Sequence, residues 1–132
     1  MNYWMVKSEP TSYSWDDFTA KHEDVWDGVR NYQARNSLRD MRKGDPVLFY
    51  HSGKDKAVVG IAEVSEEAFP DPKDQVWSAV RLKAIRPLNL PVTLEMIKSE
   101  DQLSQLPMLK QSRLSVLSVG KEEFDLLLKM GS

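Results

Sequence analysis

The 132-residue chain contains no cysteine. That absence excludes disulfides, thiol catalysis and cysteine-ligated zinc or iron–sulfur centres. Histidine is scarce as well: His22 and His51 are the only two, too few for a histidine-rich metal site. No apolar run approaches the roughly 18 residues of a membrane-spanning helix. The stretch from Met1 to Lys7 lacks the basic-then-apolar build of a secretory signal, so a cytoplasmic location is expected. An excess of charge of one sign is also missing: 18 Lys+Arg against 20 Asp+Glu leave a formal net charge of −2. Coating nucleic acid by bulk charge needs a face rich in Lys and Arg. A nucleic-acid partner would therefore have to be recognised by a pocket. Enzyme signatures are absent in turn, with no G-x-S-x-G elbow, no phosphate-cradling glycine loop and no H-E-x-x-H. His51 and Ser52 are neighbours on a strand end and point to opposite faces, which prevents a nucleophile–base pair without a bend.

What remains is a chain that is 41% hydrophobic and 29% charged, enough for a true core under an ordinary surface. Its length suits one domain spanning residues 1–132. Tyr3 to Lys7 is predicted as a first strand, with Trp4 and Val6 on one face. Ser14 is an expected N-cap, with Asp16 and Asp17 in the first turn of a short helix bearing Trp15, Phe18 and Thr19. Asp27-Gly28 signals a turn. A helix is expected from Asn31 to Arg42, with Ala34, Leu38 and Met41 as its apolar stripe and Arg35, Arg39 and Arg42 on an adjacent, more exposed flank. Pro46 to His51 and Ala57 to Val64 are predicted strands joined by a hairpin turn at Ser52–Asp55. Gln75 to Ile85 alternates as another strand, and Pro87 and Pro91 are expected to close it. Thr93 caps a short helix, Leu94 to Lys98. Leu103 to Leu106 is expected as another turn. Leu114 to Val119 is a last strand and Glu122 to Met130 a last amphipathic helix. Mixed order without strict βαβ alternation predicts an α+β architecture, a barrel-like sheet with peripheral helices.

Four tryptophans stand out. Trp4 and Trp15 lie on apolar faces and belong to the core. Trp26 and Trp77 are open to two roles, half-buried packing or a pair of walls around a flat ring. The segment from Trp26 to Asn36 is dense in amides and rings. Asn31 can cap the following helix or read a base edge, because its side chain both donates and accepts. Arg35 and Arg39 can be a solvated helix flank or phosphate contacts. His51 can be a hydrogen-bonded strand end or line a pocket.

These residues carry a resemblance. Tyr3-Trp4 through Lys7-Ser8-Glu9-Pro10, Tyr13 to Asp17, Trp26 to Asn36, Phe49-Tyr50-His51-Ser52, Gly60 to Val64, Pro91 to Leu94 and Gln111 to Val116 run in order along essentially the whole chain. Together they resemble the EVE domain, a member of the PUA-like superfamily and a relative of YTH-type readers of modified RNA. The resemblance implies a PUA-like mixed β-barrel and a pocket for an extruded, modified base in DNA or RNA. It implies no cofactor and no catalysis. It places Lys7, Ser8, Trp26, Asn31, Tyr32, Trp77, Ser112 and Arg113 at or near the ligand; His51 and Ser52 are further candidates for the pocket lining, and Arg35 and Arg39 for phosphate contacts. A monomer is favoured. Between Pro72 and Trp77 the chain departs from the pattern, since relatives usually carry a longer Asp/Pro/Tyr-rich loop there. The rivals to a modified-base binder are a binder of a nucleotide-like metabolite and an enzyme on a modified base with His51 or Asp27 as acid or base.

Overall fold

A computed structural model of the chain describes residues 1–132. Six strands and five α-helices follow in the order β1 (Tyr3–Ser8), α1 (Trp15–Lys21), β2 (Glu23–Trp26), α2 (Tyr32–Asp40), β3 (Pro46–His51), β4 (Ala57–Pro70), β5 (Ser78–Thr93), α3 (Leu94–Ser99), a 3-10 turn (Asp101–Leu103), α4 (Pro107–Lys110), β6 (Val116–Val119) and α5 (Lys121–Met130). One mixed sheet has the strand order β2-β5-β4-β3-β1-β6. Only β1 and β3 pair in parallel, with Trp4 opposite Val47 and Ser8 opposite His51. The other pairs are antiparallel.

The α+β class matches expectation; the closed barrel does not. β2 and β6 are the two edges of the sheet and do not pair with each other. The strong bending sits within β4 and β5, whose pairing shifts register four times between Val58 and Phe69. Each shift bulges one strand and sharpens its twist. Those irregularities also let β5 run past Pro87 and Pro91 to Thr93, where the two prolines were expected to stop it. Pro87 stands opposite Gly60, at one of the shifts, where a missing N–H costs no ladder bond.

Local chemistry sets the helices. The Ser14 hydroxyl accepts from the Asp17 amide, and the Asp17 carboxylate accepts from the Ser14 amide. This reciprocal cap starts α1. Asn31 Oδ1 accepts from the Ala34 amide and starts α2. Ala34, Leu38 and Met41 are completely buried, as the spacing predicts. The core packs these against Trp4, Met5, Val6, Phe18, Val47, Leu48 and Phe49. β1 is covered on both sides, so Met5 is as buried as Val6 and the simple two-face alternation does not apply. Trp4 is buried with its Nε1–H donated to Asp45 at 3.0 Å. Trp15 lies in the core, edge-on to Phe18 and Phe49.

Candidate functional site

β2 is the strand that local pattern did not predict, and it carries one wall of a cleft beside Trp26. Asp24 and Trp26 alternate with Glu23 and Val25, so both reach the same side of this edge strand. The half-buried Trp26 ring is braced edge-on by Tyr13 at 6.1 Å, Phe18 at 6.4 Å and Phe49 at 5.6 Å. It is therefore a rigid wall. The cleft measures about 450 Å³, and Lys7, Ser8, Tyr13, Asp24, Asp27 and Arg30 are among its lining residues. That volume is in the usual range for small-ligand sites.

Its charges are mixed. The Tyr13 hydroxyl donates to Asp24 Oδ2. Burial and the adjacent Asp24 carboxylate push the Tyr13 phenol well up, so it stays protonated. Burial opposes the Asp24 charge, but the Tyr13 hydroxyl, the Val25 amide and Lys21 outweigh it and hold the pKa below the usual value. Lys7 Nζ donates to the Ser112 carbonyl at 3.0 Å and lies 5.6 Å from the Tyr50 ring centroid. Burial lowers its pKa.

The loop after Trp26 is held from below by Asp71, whose side chain is fully covered. Asp71 Oδ2 accepts from the Gly28 amide at 2.9 Å and from Arg30 Nη1 at 2.9 Å. Its Oδ1 accepts from the Lys73 amide at 2.8 Å. Burial works against this carboxylate's charge; the two amides and Arg30 more than offset it and bring the pKa down to about 2. Gly28 has φ +79°, a left-handed conformation that glycine adopts without strain.

The expected site residues divide into several groups. Lys7, Ser8 and Trp26 meet at the cleft. Ser8 Oγ already donates to the Tyr13 carbonyl, which leaves its lone pairs for a ligand. Asn31, Ser112 and Arg113 border a separate recess of about 290 Å³. Ser52 lines a small pocket of about 220 Å³ with Lys7, Tyr50 and Ser112. His51 is occupied on both nitrogens: Nε2 accepts from the Trp15 amide at 2.9 Å, and Nδ1 faces Asp55 at 3.1 Å. Trp77 is not a cleft residue. It precedes β5 instead of opening it, in a turn closed by bonds between the backbones of Asp71, Asp74 and Trp77. Its ring rests against Tyr32, 5.0 Å away, so the expected pair of indole walls does not form around this cleft. Arg35 Nη1 donates to the Val76 carbonyl and Arg39 Nε to Ser78 Oγ. Both tie α2 to the start of β5.

A family model described as the EVE domain matches residues 2–130. The chain belongs to the EVE domain family. Mouse (Mus musculus) thymocyte nuclear protein 1 is 34% identical, matching 98% of this chain and 73% of that protein. A Rhodopseudomonas palustris protein solved by NMR is 46% identical with a TM-score of 0.95, matching 99% of this chain and 93% of its own. Human THYN1, solved in complex with DNA containing 5-methylcytosine, is 30% identical with a TM-score of 0.94, matching 100% of this chain and 98% of its own.

Sequence reasoning about this EVE domain missed Asp24, Arg30 and Asp71 as builders of the site. Asp24 had no local signal, because it shares a side with Trp26 only once β2 pairs with β5. For Asp71 only the local bond from the Lys73 amide could be read from sequence; Arg30 and Gly28, the partners that matter for the site, lie 41 and 43 residues away. The cleft of this EVE domain lies where β1, β2 and the segment before β6 converge.

Proposed function

We propose that this EVE domain is a non-enzymatic nucleic-acid-binding module that takes a modified nucleobase into the cleft walled by Trp26. The observation that carries this reading is a rigid, half-exposed indole beside polar groups, in a chain akin to one solved with 5-methylcytosine DNA. Base stacking on one aromatic wall is worth about 1–3 kcal/mol. Lifting the base from a duplex costs a few kcal/mol, so edge hydrogen bonds must supply the remainder. Asp24 and Asp27 suit the exocyclic amine of a cytosine-type base, which donates to carboxylates. Ser8 and Ser115 add hydroxyls to the same cleft. One buried methyl adds about 0.8 kcal/mol, roughly a fourfold preference. Stronger selection needs a clash or an unpaired polar group against the unmodified base.

DNA is the polymer the human relative supports. Engagement of both His51 nitrogens in structural bonds favours binding over catalysis. The reading extends to residues 1–132 acting as one domain with PUA-like kinship, supported by their common core. It also includes the cytoplasmic location expected from the sequence; the curated relatives are called nuclear, so their support is for proximity to nucleic acid.

The test is fluorescence anisotropy with oligonucleotides carrying 5-methylcytosine or cytosine at one position. The methylated strand is expected to bind more tightly, and Trp26→Ala to weaken it about tenfold or more. Unchanged binding by Trp26→Ala refutes the wall. Altered nucleosides detected by mass after incubation refute the non-enzymatic reading. Equal affinity for the free nucleoside and the strand favours the metabolite binder.

A further inference from the structure

Tyr32, the first residue of α2, leaves 64% of its surface exposed, unusual for a large aromatic in this fold. Its ring is nonetheless held in place. The Trp77 ring lies 5.0 Å away and 32° from parallel. The Arg35 guanidinium sits 4.8 Å from the Tyr32 centroid and 5.5 Å from that of Trp77. Arg35 Nη1 is anchored on the Val76 carbonyl, while its buried Nε has no partner. Val76, next to Trp77 in the chain, is 61% exposed. Arg35 and Arg39 bond only to neutral acceptors, so no carboxylate cancels their charges. Arg30 links this patch to the cleft: it lines the cleft, and its guanidinium lies 5.8 Å from the Trp77 centroid.

A preordered aromatic face backed by uncancelled guanidinium groups suits a base attached to a phosphate chain. We infer that Tyr32, packed against Trp77, is a platform for the nucleobase adjacent to the one held in the cleft, with Arg35 and Arg39 toward its phosphates. This inference rests on the cleft reading. It assigns Trp77 to a second base-contacting site in place of the missing second wall. A single π-face is indifferent to base identity, so the platform adds affinity for a strand without adding sequence choice.

The test compares three probes by anisotropy or competition: a single-stranded oligonucleotide with one central 5-methylcytosine, the same strand with abasic residues on both sides of it, and 5-methyldeoxycytidine monophosphate. Tyr32→Ala is expected to lose about tenfold on the intact strand and nothing on the mononucleotide. Tyr32→Phe is expected to retain wild-type binding, which separates stacking from a hydroxyl contact. The abasic strand is expected to bind the wild type about tenfold more weakly and to cost Tyr32→Ala no more. An intact-strand affinity unchanged in Tyr32→Ala overturns the platform, as does an equal loss on the mononucleotide. Trp26→Ala should weaken all three probes. If it weakens none while Tyr32→Ala still loses on the intact strand, the cleft reading has failed and the stacking has not. Absence of binding to every strand refutes both.

Discussion

Replacing Asp71 by Asn keeps the shape of the side chain and removes its charge, which tests how the loop from Asp27 to Arg30 is held. The carboxylate now receives three donors, from Gly28, Arg30 and Lys73. An asparagine oxygen can serve two of them, and its amide then points a donor at the third. An unsatisfied buried donor costs about 1–3 kcal/mol. The pKa gives a second figure. A carboxyl moved from 3.8 to about 2 is worth about 2.5 kcal/mol in full. Asp71 is covered but lies just beneath the surface, and solvent screening trims this to about 1–2 kcal/mol. Both routes meet near 2 kcal/mol, or a melting temperature about 6–10 °C lower at pH 7. The folded pKa is depressed, so this stability is whole above 3.8 and is lost as pH falls through about 2. The gap between wild type and Asp71→Asn should therefore be constant from neutral pH to about 5 and narrow below 4. Thermal unfolding across that range measures it, and exchange of the Gly28 amide reports the loop directly. A melting temperature within a degree of wild type at pH 7, or a gap that ignores pH, refutes the reasoning.

Trp4→Ala should cost about 3–5 kcal/mol, because the buried indole also holds Asp45 through Nε1; a urea midpoint equal to wild type would show that β1 is misjudged. Gly60→Ala should destabilise by about 1–3 kcal/mol or more, since a Cβ there would sit 2.5 Å from the Trp15 ring. Thermal unfolding checks it, and an unchanged transition would mean that Trp15 moves aside freely.

The helices were legible because their determinants are local. Ser14, Asn31 and Thr93 announce their caps, and each accepts the amide three residues on. The core tryptophans were legible for a similar reason, each lying on the apolar face of its own element. β2 was not. One of its four residues is exposed, three are half-exposed and two are acidic, so nothing but pairing with β5 makes them a strand. The extensions of β4 and β5 depend on bulges that absorb prolines, which no alternation pattern records. Whether a sheet closes is decided by how its edges meet, and neither β2 nor β6 carries a mark of that. Trp77 was misplaced by extending a strand pattern into the turn before it. Asn31 illustrates the limit on the site itself. Capping uses its Oδ1, and the residue borders a recess apart from the Trp26 cleft.

The pairing of β1 with both β3 and β6 has a consequence for synthesis. Val6 lies opposite Val116, and the Lys7 amide donates to the Ser115 carbonyl. The emerging N-terminal strand must therefore wait for a segment made roughly 5–20 s later at ordinary ribosome speed. During that interval β3 can pair with one edge of β1, but the other edge has no final partner and Lys7 lacks the Ser112 carbonyl that holds it. The cleft is therefore complete only when the segment carrying Ser115 has been made.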